Sequence, residues 1–432
     1  MTPELQGDKI LILGFGREGK SAYNFLQKIN FQGAIAIADK NEIDTTGLGE
    51  ITVHIGDDYL SHLNKYSTII RSPGIPASQP EIQEHLQAGG HVTSVTNIFF
   101  SLKLGSIIGI TGTKGKSTTT SLIHALLHSH LPDVRLVGNI GKAVLDNIDN
   151  STTETVFVME LSSYQLEDAR YSPHIAVILE IEPEHLSYHG TFEKYIEAKA
   201  NITKFQSAGD ILVFNPTHNH TSQIAQNSKA KKITFTLEDN QLLNSIQTQL
   251  IGEGNKENCI AAITVASQFR IPQEKITETL QNFKPLEHRL EKVITKNGIT
   301  FYNDSIATTP EATINALEAL SPNVTTLILG GYERGLDYKK LKDYIKSSKL
   351  KTIILFPTTG TRIWSELLSE DRSIETQIQA LPTITMQEAV KKAFQNTESG
   401  KTCILSPAAA SYNMFKDFEE RGKMFKKAII DY

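Results

Sequence analysis

The stretch GITGTKGKST, residues 109–118, stands between an apolar run and a segment of helical period. It ends in the Gly-Lys-Ser of a phosphate-binding loop, but isoleucine occupies the position where a Walker A loop has its first glycine. Gly112 and Gly115 nonetheless remove side chains where backbone N–H groups must close on phosphate oxygens. Lys116 can neutralise β- and γ-phosphate oxygens, and the Ser117 hydroxyl can reach a magnesium ion. The stretch therefore predicts a nucleotide loop whose spacing is not that of Walker A.

Apolar runs alternate with helix-period segments along the rest of the chain. Buried parallel strands read as near-continuous apolar runs, and their alternation with helices is typical of doubly wound α/β sheets. The runs that predict strands are 9–14, 34–39, 68–72, 107–111, 156–161, 175–181, 211–215, 326–331, 352–356 and 403–407. The clearest helical segments are 21–29, 117–129, 256–269 and 386–395.

The same pattern divides the chain into three α/β domains. We expect a Rossmann-like domain over residues 1–100, a central ATP-binding domain over 101–289 and a second Rossmann-like domain over 290–432. The last opens with a hairpin predicted around Asn297-Gly298, a dipeptide that favours a tight two-residue turn.

Composition narrows the class of protein. The 432 residues carry a net charge of −5, which gives no reason to expect a nucleic-acid partner. Cys259 and Cys403 lie far apart in apolar runs, which predicts buried thiols of a reducing compartment. Neither a signal peptide nor a membrane span is recognisable. The expectation is a soluble cytoplasmic protein.

A second glycine-rich turn lies near the N-terminus. LGFGREG, residues 13–19, places Gly14, Gly16 and Gly19 in the G-x-G-x-x-G spacing between a strand and a helix. Asp39 ends the next predicted strand, where it could contact a ribose hydroxyl. Taken alone, this turn leaves open a dinucleotide such as NAD or another diphosphate ligand.

GTKGKST resembles the ATP loop of the Mur ligase family and of the related folylpolyglutamate synthases. Further segments are similar to motifs of that family, in the same order, over nearly the whole chain. They are VGNIG (137–141), MELSSYQL (159–166), IEPEHLSYHG (181–190), YIEAKANI (195–202), GEGNKENCIAA (252–262), EHRLE (287–291) and NDS (303–305).

The resemblance implies ATP as co-substrate and two magnesium ions. Metal binding is implied for Ser117, Glu160, His185 and Lys199, the last as a carbamate, and a catalytic role for Lys116, Glu160, His185 and Lys199. The implied ATP-binding residues are Gly112, Thr113, Lys114, Gly115, Lys116, Ser117, Thr118, Asn255, Asn258, Arg289 and Asp304.

Within the family the chain is most similar to the D-glutamate-adding enzyme. Folylpolyglutamate synthases lack the N-terminal glycine turn. In the D-glutamate-adding enzyme this turn is implied to hold a uracil nucleotide rather than NAD. SPGIP (72–76) and LSPAAASYNMFKDFEERGKMF (405–425) are similar to its other signatures. Residues implied to bind the UDP-linked substrate are Gly14, Phe15, Gly16, Arg17, Asp39, Ser72, Asn139, Ser162, Gln165 and His189. Those implied to bind D-glutamate are Thr308, Arg334, Ser411 and Phe418.

One position departs from the family pattern, because Ile306 stands where N-D-S-K-A-T-N has lysine. Arg334 keeps a positive charge where a lysine is common. The amino acid added is therefore less firmly implied than the reaction.

The implied reaction joins D-glutamate to the L-alanine carboxylate of UDP-N-acetylmuramoyl-L-alanine through an acyl phosphate, for peptidoglycan synthesis. No nucleic acid, membrane or second subunit is expected. Two alternatives compete with this hypothesis. An NAD-dependent oxidoreductase would explain only the first glycine turn, and a regulatory protein that binds ATP without turnover would not need Glu160, Lys199 and Asp304.

Overall fold

The computed structural model describes residues 2–239 and 241–432, and the chain forms two compact units. The first comprises Met1–Gln247 and Glu257–Gln281, and the second comprises Thr248–Lys256 and Asn282–Tyr432. The first unit holds two parallel sheets and the second holds a mixed sheet that is mostly parallel. The predicted α/β class is confirmed.

The N-terminal sheet has the strand order β3-β2-β1-β4-β5, so the order reverses beside β1. Ligands of doubly wound sheets bind at the carboxyl ends of strands where the order reverses. The strands are β1 (Lys9–Leu13), β2 (Ala34–Asp39), β3 (Thr52–Ile55), β4 (Thr68–Arg71) and β5 (His91–Thr93). The helices are α1 (Arg17–Lys28), α2 (Pro80–Gln87) and α3 (Val95–Leu102).

The central sheet has the order β11-β10-β9-β6-β8-β7. Its strands are β6 (Ser106–Thr111), β7 (Val134–Gly138), β8 (Val156–Glu160), β9 (Ile175–Ile178), β10 (Ile211–Phe214) and β11 (Lys231–Thr234). The accompanying helices are α4 (Lys116–His128), α5 (Ser163–Leu166), α6 (Leu186–His189), α7 (Phe192–Lys204), α8 (Asn219–Asn227), α9 (Gln241–Asn244), α10 (Glu253–Gln268) and α11 (Gln273–Asn282).

The third sheet has the order β12-β13-β17-β14-β15-β16. Its strands are β12 (Glu291–Lys296), β13 (Ile299–Asn303), β14 (Val324–Gly330), β15 (Thr352–Phe356), β16 (Gln379–Pro382) and β17 (Thr402–Leu405). Its helices are α12 (Pro310–Leu320), α13 (Lys339–Ser347), α14 (Thr359–Glu370), α15 (Met386–Asn396) and α16 (Phe418–Asp431).

Buried apolar side chains on both faces of the central strands explain these sheets. Each residue of β8 and β14 is buried, and β1 is buried after its first residue. Gly19 lets α1 approach β1, because a Cβ there would overlap the carbonyl oxygen of Gly14. Such close helix–strand packing is the usual role of the third glycine in this type of turn.

The predicted hairpin and thiols are also confirmed. Strands β12 and β13 pair antiparallel, and the turn residues Asn297 and Gly298 take φ values of +53° and +77°. Cys259 and Cys403 are buried free thiols. Among the helices formed by residues 2–239 and 241–432, none is long and apolar enough to cross a membrane.

Candidate functional site

A cavity of about 380 Å³ lies at the carboxyl end of β1 and β4, against the central domain. It is lined from the N-terminal domain by Gly16, Arg17, Glu18, Ser72, Pro73 and Gly74, and from the central domain by Asn139, Ser162, Tyr164 and Gln165. Six of these ten residues are among those implied to bind the UDP-linked substrate. The cavity therefore brings sequence-predicted residues from two domains together.

Asp39 and Ser72 also make hydrogen bonds within the glycine turn itself. Asp39 accepts the backbone N–H of Phe15 at 2.7 Å through Oδ2 and that of Asn41 at 2.9 Å through Oδ1. Phe15 is buried, with its ring edge-on to Tyr23. The hydroxyl of Ser72 donates to the carbonyl of Gly14 at 2.8 Å. These contacts hold the shape of the turn, while the Phe15 side chain packs in the core of the N-terminal domain.

A chain of hydrogen bonds leads from the cavity to the central strands. Arg17 Nη2 donates to the carbonyl oxygens of Gly138 and Asn139 at 2.9 and 3.2 Å. Asn139 Nδ2 in turn donates to Oε1 of Glu160 at 2.7 Å. The predicted substrate and metal residues are thus neighbours at one edge of the sheet.

Helix α5 and its N-cap residue Ser162 form one wall of the cavity, the α5 wall, and a capping box stabilises the start of this helix. Ser162 caps the helix, and its backbone N–H and hydroxyl both lie near Oε1 of Gln165. Gln165 Nε2 donates to Glu18 Oε1 at 2.7 Å. His189 lies behind this wall, with Nε2 3.0 Å from Ser163 Oγ and its ring stacked on Tyr164.

The loop between β6 and α4 contains glycines at positive φ, a conformation that glycine adopts without strain. Gly115 takes a φ of +79°, and a Cβ there would overlap Oδ1 of Asn258, which also accepts the hydroxyl of Thr119 at 3.1 Å. Thr113 donates its N–H to the carbonyl of Glu180 at 2.7 Å. The loop is thus anchored on both sides, with Ser117 and Thr118 in the first turn of α4.

The lysines of the loop differ in their surroundings. Lys116 Nζ donates to the carbonyl of Thr113 at 2.7 Å, so its ammonium group stays on the loop. Lys114 forms a half-exposed ion pair with Glu182 at 2.7 Å. An ion pair of that exposure contributes little to stability.

Lys199 on α7 is buried, and its Nζ donates to the carbonyl of Gly112 at 2.7 Å. The same Nζ lies 4.7 Å from the centre of the Tyr195 ring. Burial lowers the pKa of Lys199 well below its usual range, and the Lys116 ammonium lowers it further against the opposing effect of Glu184 and Glu160. A lysine of this kind is readily deprotonated, which makes its amine a nucleophile.

Glu160 closes β8 beside the nucleotide loop, since it pairs in register with Ile110 of β6. It is 1% exposed, and its Oε2 atom has no hydrogen-bond partner in the structure. A buried carboxylate oxygen needs a partner, and Mg²⁺ usually takes one or two carboxylates together with phosphate oxygens. Glu160 therefore has an oxygen free to bind a magnesium ion, and the Ser117 hydroxyl, in the first turn of α4, is the second oxygen donor that the sequence predicts.

The surroundings of His185 fit a second ion less completely. His185 is exposed, with a φ of +57°, and its ring lies 5.0 Å from Tyr164 and 6.3 Å from Tyr195. Tyr195 is also the ring that Lys199 contacts, so both predicted ligands flank one aromatic side chain. Within the described ranges no three His, Cys, Asp or Glu side chains converge on one point.

The two asparagines implied to bind ATP, Asn255 and Asn258, are both on α10. Asn258 contacts the nucleotide loop as described, whereas Asn255 belongs to the second unit and donates to the carbonyl of Ile251 at 2.8 Å. Asn255 and Asn258 thus share a helix, but their side chains have different hydrogen-bond partners.

In the second unit Asp304 is buried at the end of β13. It accepts the N–H of Leu290 at 3.1 Å and the hydroxyl of Ser406 at 2.9 Å. Burial raises the pKa of Asp304 to about 7, although these hydrogen bonds and Arg289 oppose the rise. The Nε atom of Arg289 is buried and has no hydrogen-bond partner. Asp304 therefore holds the chain segment that precedes the third sheet.

The residues implied to bind D-glutamate follow neighbouring strands of the third sheet. Thr308 comes after β13, Arg334 after β14 and Ser411 after β17. Arg334 Nη2 donates to the carbonyl of Thr308 at 2.6 Å, and Tyr332 pairs with Ala410 across the strand ends. Phe418 begins α16, where its ring lies 6.2 Å from that of His288. Ile306, in place of the usual lysine, is half-buried.

Several side chains near these sites were assigned no role from the sequence. Arg71, Tyr188 and Tyr195 are examples: Arg71 is buried behind the cavity, and the Tyr195 hydroxyl lies 3.0 Å from Thr113 Oγ1. Two signals could have found them. Arg71 is a charge that closes an apolar run, and Tyr195 precedes Lys199 by one helical turn.

Three family models match successive parts of the chain. Residues 8–94 match the "Mur ligase MurD-like, N-terminal domain", residues 110–266 the "Mur ligase middle domain" and residues 288–409 the "Mur ligase, glutamate ligase domain". The UDP-N-acetylmuramoylalanine–D-glutamate ligase of Clostridioides difficile is 34% identical, over 99% of both chains. The chain belongs to the Mur ligase family. The resemblance expected from the sequence is confirmed.

Further relatives agree with this assignment. The ligase of the same name from Caldicellulosiruptor bescii is 33% identical, covering 99% of this chain and 98% of its own. Among solved structures, MurF of Acinetobacter baumannii gives a TM-score of 0.62 at 16% identity, over 99% of this chain and 92% of that chain. UDP-N-acetylmuramate-alanine ligase MurC of Thermotoga maritima gives 0.60 at 16%, over 98% and 99%. At this identity the structures show a common Mur ligase fold.

The conformation of Gly115 yields a first prediction. Gly115→Ala is expected to weaken ATP binding at least about tenfold, because alanine at positive φ is strained and its Cβ would displace Asn258. Titration with a fluorescent ATP analogue measures the effect. Gly209→Ala is the control, since a Cβ there meets only Ser207 Oγ, at 3.7 Å. Equal affinities for wild type and Gly115→Ala would contradict the loop geometry.

The burial of Asp304 yields a second prediction, on stability. Because its folded pKa of about 7 lies above the ordinary value of 3.8, the folded protein keeps this proton over a pH range in which the unfolded chain loses it, so stability that is present below the ordinary value is lost progressively until the pH reaches about 7. Relative to Asp304→Asn, the free energy of unfolding of the wild type should fall by on the order of 4 kcal/mol between about pH 4 and pH 8. Urea unfolding at a series of pH values measures this, and a difference independent of pH would refute it.

Proposed function

We propose that this Mur ligase joins D-glutamate to the L-alanine carboxylate of UDP-N-acetylmuramoyl-L-alanine, with ATP converted to ADP and phosphate. The observation that carries this proposal is the similarity to relatives of that name over 99% of both chains. It extends through the N-terminal turn, the nucleotide loop and the C-terminal signature. The NAD-dependent alternative leaves the last two without a role.

The nucleotide loop acts on the γ-phosphate of ATP. The carboxylate of the UDP-linked substrate attacks that phosphorus, ADP leaves and an acyl phosphate forms. Lys116 neutralises charge that builds on the phosphoryl oxygens, which is the main requirement of phosphoryl transfer. Magnesium, held by Ser117 and Glu160, supplies further charge neutralisation when bound. Backbone N–H groups around Gly112 and Gly115 orient the phosphates.

The second step forms the amide. The amine of D-glutamate attacks the acyl carbon, and phosphate leaves from the tetrahedral intermediate. Thr308, Arg334, Ser411 and Phe418 are proposed to hold the amino acid, with the Arg334 guanidinium on its side-chain carboxylate. His189 and Asn139 are proposed to position the acyl group.

The cavity at the glycine turn is the proposed site for the UDP portion of the substrate. Arg17 and Asn139 both line it, Arg17 donates to the carbonyl of Gly138 and Asn139 donates to Glu160. One hydrogen-bonded path thus connects the substrate cavity with the proposed metal ligand. This arrangement supports delivery of the substrate carboxylate to the γ-phosphate.

Lys199 is proposed to be carbamylated. Its burial and lowered pKa favour a neutral amine, which adds to CO₂ and releases one proton to give an anionic carbamate. The carbamate has the oxygen donors that magnesium prefers, and with His185 it would hold the second ion.

We propose domain boundaries at 1–100, 101–289 and 290–432, supported by family-model matches that fall inside these ranges apart from residue 288–289 of the last. A cytoplasmic monomer without nucleic-acid or membrane partners stays an expectation from the sequence.

Phosphate release tests the proposed function. ATP, magnesium and UDP-N-acetylmuramoyl-L-alanine are supplied, and D-glutamate, L-glutamate, L-lysine, D-aspartate and glycine are added singly. Release that requires D-glutamate is expected, and it would show that Ile306 does not change the amino acid. Release with a different amino acid would overturn the substrate, and ATP binding without release would favour a regulatory protein.

A further inference from the structure

Arg71 occupies an unusual position behind the cavity. It ends β4 with a side chain that is fully buried, directly before the Ser72-Pro73-Gly74 wall. Its guanidinium pairs with Asp168, with Nε and Nη2 at 3.0 and 2.9 Å from Oδ2. Burying an arginine is costly unless its charge is paired and its N–H groups are bonded.

The remaining N–H groups of Arg71 reach both walls of the cavity. Nη1 donates to the carbonyl of Ile75, which follows the Ser72–Gly74 wall. Nη2 lies 3.5 Å from the carbonyl of Tyr164, on the α5 wall contributed by the central domain. One planar guanidinium therefore touches the backbone of both walls.

Tyr188 makes a second link between the same walls. Its hydroxyl lies 2.8 Å from the carbonyl of Pro73 and 2.9 Å from Glu167 Oε2. Glu167 also accepts the N–H of Ala77 at 3.1 Å, and its Oε2 is 3.5 Å from Arg71 Nη1. Arg71 and Tyr188 thus belong to one partly buried network of hydrogen bonds that joins the two walls.

We propose that Arg71 is a positioning residue for the UDP-linked substrate, which fixes the distance between the Ser72–Gly74 wall and the α5 wall. This inference rests on the proposed function of the cavity. Arg71 does not line the cavity, so it acts through the backbone carbonyls it holds. Through α5 it also fixes Gln165, whose side chain bonds Glu18 of the glycine turn.

A neighbouring arginine supplies a matched comparison. Arg170 forms an ion pair with Glu4 at 3.1 Å and donates to the carbonyl of Val92, so it also joins the central and N-terminal domains. Within residues 2–239 and 241–432, the hydrogen bonds and the ion pair of its side chain go to Glu4, His91 and Val92, and none of these three lines the cavity. A substitution of Arg170 therefore weakens an interdomain ion pair without changing the cavity walls, whereas a substitution of Arg71 changes both.

The test uses Arg71→Lys, which keeps the charge and loses the planar fork. Calorimetric titration with UDP-N-acetylmuramoyl-L-alanine in the absence of ATP gives the dissociation constant, and steady-state kinetics give kcat and the three KM values. For Arg71→Lys we expect the Kd and KM of the UDP-linked substrate to rise about tenfold, with kcat and the KM of ATP and D-glutamate within about twofold of wild type. Arg170→Lys should change none of these values by more than about twofold.

Tyr188→Phe is a second test that can be used if Arg71→Lys does not fold. It removes only the hydroxyl that links Pro73 to Glu167, so we expect the variant to fold. We expect it to raise the Kd of the UDP-linked substrate about threefold without changing the other KM values. Unchanged affinity in both variants, an equal rise in all three KM values, or the same loss in Arg170→Lys would overturn the proposal. A wild type that turns over D-glutamate while Arg71→Lys binds normally refutes only this inference. A wild type that fails to bind the UDP-linked substrate refutes the proposed function and this inference with it.

Discussion

Lys116→Met should reduce kcat by at least about 10³-fold, because the ammonium group of Lys116 is the charge that the nucleotide loop brings to the transferring phosphoryl group. Methionine has a similar volume, and Lys116 is only half-buried, so the fold should be retained. Phosphate release at saturating ATP measures kcat, and binding of a fluorescent ATP analogue shows whether the loop still forms. The effect should fall on kcat more than on nucleotide affinity.

Lys275→Met is the control for this change. Lys275 Nζ donates to the carbonyl of Ser129, at the opposite end of α4 from Lys116. Its loss should leave kcat within about twofold of wild type. A Lys116→Met enzyme with kcat near that of the control would show that the charge of the loop is not used in the reaction.

Lys199→Met should lose activity to a similar extent, about 10³-fold, because it removes both the proposed carbamate and its metal-binding oxygens. Short carboxylates such as formate or acetate, supplied at high concentration, should restore part of the activity by entering the space of the missing carbamate. The activity of the wild type should also fall after exhaustive removal of CO₂ and return with bicarbonate.

The control on the same helix is Lys194→Met, since Lys194 is exposed. It should show neither the loss nor a response to carboxylates. Carbon-13 NMR with labelled bicarbonate provides a direct readout, in which the wild type gives a carbamate signal and Lys199→Met does not. Full activity without CO₂ and no such signal would refute carbamylation.

The apolar runs of the sequence correctly predicted strands in the interior of the three sheets. The hairpin of β12 and β13 was predicted separately, from its turn residues. The strands that the sequence missed are β3, β5, β7, β11 and β16, and each lies at the edge of its sheet. Edge strands are short, and they expose one side, so their residues are polar or mixed. The strand β11 is an example, because it begins with Lys231 and Lys232, which are both exposed. An edge strand acquires its conformation from the neighbour that pairs with it, which local sequence does not reveal.

Some residues of the candidate site could likewise be predicted from local sequence, and others could not. Gly112, Gly115, Lys116 and Ser117 were found because phosphate binding requires a particular backbone and particular charges within a few residues. The roles of Glu160 and Lys199 came only from family resemblance, since a strand-end carboxylate and a helical lysine are ordinary features of any chain. Their burial, the unpartnered Glu160 oxygen and the contact of Lys199 with the loop became visible only in three dimensions.

Arg71 and Asp39 show why pairings between distant segments escape sequence reasoning. Asp39 was expected to contact a ribose, whereas in the structure both of its carboxylate oxygens accept backbone N–H groups of the N-terminal domain. Arg71 finds its partners 93 and 97 positions further along the chain. Only the packing of the central domain against the N-terminal domain brings those groups together.

The most direct test of the account uses oxygen isotope transfer. UDP-N-acetylmuramoyl-L-alanine labelled with ¹⁸O in the alanine carboxylate is incubated with ATP, magnesium and D-glutamate, and the released phosphate is examined by mass spectrometry. Attack of that carboxylate on the γ-phosphate predicts one ¹⁸O atom in each phosphate released, together with one molecule of amide product. Phosphate without the label would mean that ATP is cleaved by water, and it would contradict an acyl phosphate intermediate.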